Sequence, residues 1–162
     1  MRKIILTFAL IALIPAPAFA KNMLNIQQIT SPGGIKAWLV EDHNVPAISL
    51  QFAFKGAGAS HDPADKQGLS RLLSNTMDEG AGDIDSQHFQ KELRDLSIDL
   101  HFGSSRDDFT GALKTLTKIK DRAFELLSLA LTKPRFDEEP VGRMRAANQS
   151  RIRSSMTDPD WI

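Results

Sequence analysis

The stretch GLSRLLSNTMDEGAG, Gly68 to Gly82, sets Arg71, Ser74 and Asn75 at spacings of three and four residues. Residues so spaced share one face of a helix and can reach one bound species together. Their chemistry is narrow. Arginine offers five donors and no lone pair, and it stays charged at any ordinary pH. Serine cannot serve as a general base, and asparagine is a poor zinc ligand. The four histidines, His43, His61, His88 and His101, include no pair at i, i+4. Each reads as a surface or packed histidine rather than a metal ligand. Asp85 and His88 read as a helix cap and a solvated neighbour. There is no G-x-S-x-G elbow and no phosphate loop. Cysteine is absent, which excludes a disulfide framework and a thiolate zinc site.

A second group of charged residues lies further on. Arg143, Arg145, Arg151 and Arg153 recur in what reads as a last helix. They form either a solvated face or an anion-binding surface. The whole chain has 20 basic and 20 acidic residues. That balance, with the export signal described next, argues against nucleic acid.

The elements that carry these residues follow from the pattern. The chain has 162 residues, 41% hydrophobic and 25% charged, a length and composition that suit one globular domain. MRKIILTFALIALIPAPAFA has two basic residues, an apolar run and the small-x-small ending Ala18-Phe19-Ala20. Residues 1–20 therefore read as a secretory signal peptide, too short in its apolar run for a membrane span. The mature chain is expected outside the cytoplasm, in a bacterial periplasm, with no stable span.

Ile35 to Asp42 alternates as a strand. So does the run after Val45, with Ile48, Leu50, Phe52 and Phe54 on one face. His43-Asn44 between them reads as a hairpin turn. From Lys66 the period turns helical, with Leu69, Leu72, Leu73 and Met77 as the side that packs on a sheet. Gly80 and Gly82 end that helix. Asp85 or Ser86 caps a second helix, with Phe89, Leu93 and Leu96 inward. IDLHFGSS and DDFTGALKTL read as paired strands. Leu116, Ile119, Ala123, Phe124, Leu127 and Ala130 mark the apolar face of a helix that stops near Pro134. A helix from about Asp137 to Met156 closes the order ββααββαα. The fold class is α+β, a mainly antiparallel sheet with helices on one face. RIRSSMTDPDWI stops without a closing strand, so residues 21–162 read as an N-terminal domain of a longer chain.

This order, with the wording GIKAWLVEDHNVPAISLQFAFKGAGASHDPADKQGLSRLL, LRDLSIDLHFGSSRDDFTGALKTL and LLSLALTKPRFDEEPVGRMRAANQSRIRSSMTDP, resembles the N-terminal domain of the insulinase/pitrilysin family of zinc metallopeptidases. In that family the helix after the second strand carries H-x-x-E-H, whose histidines bind zinc and whose glutamate polarises a water. The resemblance sets Arg71, Ser74 and Asn75 at those positions. Counting to the third, carboxylate ligand of the family reaches Arg151.

All four catalytic positions would then be replaced, leaving no metal in this chain and zinc only in a partner. The family fold would bring Arg151 toward Arg71, a pair able to hold a carboxylate. The resemblance implies a non-catalytic subunit of a periplasmic zinc peptidase complex. Its partners would be a zinc-bearing catalytic subunit and an extended peptide. Two alternatives stand beside it: a divergent zinc metalloendopeptidase, or one whose motif lies beyond residue 162, and a stand-alone module that binds acidic peptides.

Overall fold

The computed structural model describes residues 25–157. The expected export segment and Asp158-Pro159 lie outside these residues. The chain divides between His43 and Asn44 into two compact units.

The first unit is a hairpin. β1 (Ile26–Thr30) pairs antiparallel with β2 (Lys36–Val40), from Ile26 opposite Val40 to Thr30 opposite Lys36. The turn between them is closed at Ser31. Its N–H donates to the Ile35 carbonyl at 2.8 Å, and its Oγ accepts from the Ile35 N–H at 3.0 Å. Gly34 takes φ of 86°, a conformation that a side chain would strain. This corrects the expected pairing. Residues 31–35, not His43-Asn44, make the hairpin turn, and a strand that sequence reading passed over precedes it. NIQQIT has only two apolar residues, so its alternation is weak, whereas Ser31-Pro32-Gly33-Gly34 is a clear turn signal.

The second unit holds a three-stranded antiparallel sheet in the order β3-β5-β4. β3 (Ala47–Lys55) runs against β5 (Asp108–Leu116), with Phe52 opposite Gly111. β4 (Asp99–Ser104) runs along the other side of β5. Pro46, which has no N–H to donate, precedes an edge strand, as expected. Alternation sets the faces. Phe109, Leu113 and Thr115 of β5 and Leu100 and Phe102 of β4 are buried, while Thr110, Lys114 and His101 are exposed. A Cβ at Gly111 would come within 2.2 Å of the Phe52 ring, so that ring occupies the space a side chain would need. Phe52, Phe54, Phe102 and Phe109 form a ring cluster with centroids 5.6 to 6.5 Å apart.

Helices bury the apolar face of this sheet. α2 (Ser86–Asp95) contributes Phe89 and Leu93, and α3 (Lys120–Thr132) contributes Ala123, Leu126, Leu127 and Ala130. Asp85 caps α2, accepting from the His88 N–H at 2.9 Å. Ser97, with φ of 54°, ends it. The Ile98 N–H reaches back to the Leu93 carbonyl at 2.8 Å, the six-to-one bond of a left-handed C-terminal turn. One apolar position of α3 differs from expectation. Phe124 is exposed and Leu126 is fully buried, because the buried stripe follows Ala123, Leu126, Leu127 and Ala130 at spacings of three, one and three. A bidentate pair ties α3 to α2: Arg122 Nε and Nη2 donate to the Glu92 carboxylate at 2.5 and 2.8 Å. Arg122 holds the Glu92 carboxyl below the usual range.

Two helices remain. α1 (Leu69–Ser74) is short, and α4 (Glu138–Ser155) is long and begins as expected after Asp137. With β1 added in front, the order is ββ, then βααββαα. The antiparallel sheet with helices on one face is the α+β class read from the sequence.

Candidate functional site

α1 is built from the Asp62 side chain outward. The Asp62 carboxylate accepts from the Gly68 N–H at 2.9 Å, the Ser70 N–H at 3.0 Å and the Ser70 hydroxyl at 3.3 Å. It thus satisfies donors that the first turn of a helix leaves open. The Ser104 hydroxyl of β4 donates to Ser70 Oγ at 2.9 Å.

The inward side of α1 is therefore serine, not leucine. Ser70 and Ser74 are buried, whereas Leu69 and Leu73 are 47% and 37% exposed. This reverses the expected packing of Leu69 and Leu73. A helix of six residues has only about 1.7 turns to place. Small residues let it lie close to β4, and the burial that leucines supply elsewhere comes from Met77, just beyond its end.

That reversal decides what Ser74 can do. It is 1% exposed, and its hydroxyl donates to the Arg71 carbonyl at 2.9 Å. It faces no solvent and meets no base. Asn75, the C-cap of α1, donates from its side-chain amide to Asn148 Oδ1 of α4 at 2.7 Å. Arg71 is exposed and lines a cleft between α1 and α4.

α4 runs antiparallel to the α1 segment. Arg143 meets Glu79 at one end, Asn148 meets Asn75 in the middle, and Ile152 lines the cleft beside Gly68 and Leu69. The cleft has a volume of about 420 Å³. From α4 it is lined by Arg145, Asn148, Gln149 and Ile152, which share one helix face. Arg151 points roughly 110° away from the mean direction of those four, at 100° per residue. It is exposed and does not line the cleft. The expected pairing of Arg71 with Arg151 is thus replaced: Arg145 shares the cleft with Arg71, and Asn148 stands against Asn75. Sequence counting fixed the helix but not its rotation, and a three-residue difference separates Asn148 from Arg151.

The other end of this contact is closed. Glu79 is 6% exposed and accepts from Arg143 Nη2 at 2.7 Å and from the Ser86 hydroxyl at 2.5 Å. Arg143 also reaches Glu139 at 3.3 Å. The Glu79 carboxylate raises the Arg143 pKa above its ordinary value. Next to it, burial pushes the Asp78 carboxyl up to about 6, against the opposing effect of its backbone hydrogen bond and with the Glu79 charge adding to the rise. Gln90 donates to the Asp78 carbonyl at 3.0 Å and to its carboxylate at 3.4 Å. Of this cluster the sequence singled out Arg143, as part of a solvated or anion-binding face, and neither of the acids it meets. The signal was faint: an acidic pair before a glycine, and an arginine 64 residues on.

The donor set around the cleft does not suit zinc, which takes imidazole nitrogen, thiolate or carboxylate oxygen. Here a guanidinium, a sealed hydroxyl and two mutually bonded amides stand instead. Among the described residues, no three histidine, aspartate or glutamate side chains come together as a metal site would need.

Residues 39–160 match the family model described as insulinase, peptidase family M16. Over all 162 residues the chain is 24% identical to a Helicobacter pylori protein named Non-peptidase homolog YmxG, spanning 36% of that protein. Among solved structures, it resembles a peptidase M16 inactive domain from Pseudomonas fluorescens at 24% identity and a TM-score of 0.72, covering 84% of this chain and 33% of that one. A protease from Helicobacter pylori gives 15% identity and a TM-score of 0.69, over 86% of this chain and 33% of that one. Pitrilysin gives 20% and 0.68, over 85% and 14%. The chain thus spans about a third of the curated relative and of the first two structures. Its fold is that of these proteins, and with well over half of its length matched by the family model, the chain belongs to the insulinase family, peptidase family M16.

Proposed function

We propose that this chain is a non-catalytic member of the insulinase family that holds peptide and supports a zinc-bearing subunit of the same family, outside the cytoplasm. One observation carries the reading. At the positions where the family resemblance puts H-x-x-E-H, Ser74 is sealed beneath α1 with its hydroxyl spent on Arg71, and Asn75 is spent on Asn148. No general base and no pair of lone-pair ligands remains there. The names of two similar proteins, a non-peptidase homologue and an inactive domain, support the same direction. Export rests on the signal-like residues 1–20. Pairing with a catalytic subunit rests on family membership and on the inactive-domain relative. An extended peptide would add to a sheet edge, where β3 or β4 pairs on one side only among the described residues.

A second reading has an observation behind it as well. The chain covers 36% of a curated relative, so a zinc motif elsewhere in a longer protein fits the same facts. Metal analysis of the purified full-length protein, with a peptidase assay on the same sample, separates the two. The first reading expects substoichiometric zinc and no cleavage. One tightly held zinc per chain, removed by chelation together with activity, would overturn it.

A further inference from the structure

The cleft between α1 and α4 has an unusual lining. Lys66, Arg71 and Arg145 supply three cations, and Leu69, Leu72 and Ile152 supply apolar walls. Among the described residues, no carboxylate lines it. The nearby acid, Asp62, is spent on the backbone and hydroxyl of α1. Lys66, Arg71 and Arg145 make no ion pair with any described residue, in contrast to Arg143, Arg122 and Arg135, each of which holds a carboxylate. Like charges gathered at one opening repel one another, and an anion relieves that repulsion. Three cations beside an apolar wall, with Asn148 and Gln149 able to bond a peptide backbone, select an acidic ligand with apolar side chains. A nucleic acid is disfavoured, since no aromatic side chain among the described residues lines the cleft for a base to stack on.

We infer that this cleft is a binding site for an acidic peptide segment, with Arg71 and Arg145 gripping a carboxylate and Leu69, Leu72 and Ile152 receiving the neighbouring apolar side chain. The inference rests on the non-catalytic reading and deepens it: the place of the zinc chemistry becomes a place that holds an anion. Arg71 was expected in this role from the sequence. Arg145 takes the part expected of Arg151.

Fluorescence anisotropy on the purified full-length protein tests it. The probe is a fluorescein-labelled hexapeptide of alternating glutamate and leucine, compared with its glutamine counterpart. The glutamate peptide binds saturably, and the glutamine peptide at least about tenfold more weakly, as charge-assisted hydrogen bonds to two guanidinium groups require. Arg71→Gln and Arg145→Gln each weaken binding roughly fivefold, in the range of partly exposed charge pairs. Arg151→Gln, outside the cleft, leaves it within about twofold, as a distant exposed charge does in salt. Raising the salt on the unaltered protein loosens the glutamate peptide alone, a readout that no folding defect can imitate.

Equal binding of both peptides, no saturable binding, or an equal loss in Arg151→Gln would overturn the inference. Zinc is measured on the same sample. Bound zinc would refute the non-catalytic reading itself, whereas zinc-free protein that ignores the acidic peptide refutes only this inference.

Discussion

α4 carries two arginines two residues apart that live in different electrostatic surroundings. Arg143 donates to the buried Glu79 and to Glu139, closing one end of the contact with the α1 segment. Arg145 lines the cleft at the other end and pairs with no described acid. Two residues turn the helix by about 200°, so neighbours in sequence serve different surroundings. The difference teaches where this domain spends charge on holding itself together and where it leaves charge for something else. At the Glu79 end the charges are matched: the buried Glu79 carboxylate accepts from the Ser86 hydroxyl and the Arg143 guanidinium on one oxygen. At the Arg71 end three cations stand beside bare leucine and isoleucine.

The sharpest way to break this comparison is at the closed end. Arg143→Ala leaves the Glu79 carboxylate buried with only the Ser86 hydroxyl to satisfy it. Breaking a buried pair from one side costs about 3 kcal/mol, because the remaining charge is uncompensated. Since Arg143 is half exposed, water will offset part of that, and the expected loss is about 2 kcal/mol in urea denaturation near neutral pH. The double variant Arg143→Ala, Glu79→Gln should recover some of it, since no buried charge then remains. A single variant as stable as the unaltered protein would mean the closed end is no more structural than the open one.

The next effect titrates. In the folded chain burial pushes the Asp78 carboxyl up to about 6, above the 3.8 of an unfolded chain. Between those values the folded state holds more protons than the unfolded one, so stability falls as pH rises from about 4 to about 6 and then levels off. The two-unit difference corresponds to at most about 3 kcal/mol, and relaxation of the site makes about 1 to 2 the expected size. Asp78→Asn keeps the bond to Gln90 possible and removes the titration. Unfolding followed from pH 4 to 7 should show a decline in the unaltered protein that is missing in Asp78→Asn. Parallel curves for the two proteins would place the pH dependence elsewhere.

How much of this was legible beforehand depends on which physical signal carries each part. The strands of the sheet and α2 and α3 are periodic segments whose burial largely follows the spacing of their apolar residues, so they could be read directly. α4 buries only Pro140 and was legible from its acidic start after Asp137 and its long run without a further proline. β1 was not readable in the same way, because NIQQIT holds two isoleucines amid polar residues and acquires its meaning only from the strand it pairs with. The facing of α1 failed for a deeper reason. Period gave a helix here, though it ends at Ser74 and not at Gly80, and hydrophobicity assigned its leucines to the sheet, whereas the close approach to β4 is made by Ser70 and Ser74. Steric room overrode hydrophobic preference at this one short element. That Arg71, Ser74 and Asn75 share one short segment was legible because their spacing is local information. Which of the α4 side chains come beside them was not, since the rotation of a helix roughly 70 residues away is fixed by tertiary contacts such as Glu79 with Arg143.

The smallest effect is the most discriminating, because it sets Arg145 beside Arg143. Arg145→Ala removes a charge that pairs with no described acid, so it forfeits no buried partner. Surface substitutions of this kind stay within about 0.5 kcal/mol. The sign carries the information. If Arg71 and Lys66 repel Arg145 across the cleft, the variant should be slightly more stable than the unaltered protein in dilute buffer, by a few tenths of a kcal/mol at most. That gain should vanish at about 1 M salt, where the screening length shrinks to about 3 Å. Arg143→Ala should keep most of its cost in the same salt, since Glu79 is buried and its charge is poorly screened. Two substitutions two residues apart, with opposite signs and opposite responses to salt, would separate charge that holds the fold from charge held open for a ligand. A loss at Arg145 that matched the loss at Arg143 would erase that distinction, and with it the reason for reading the cleft as a place for an anion.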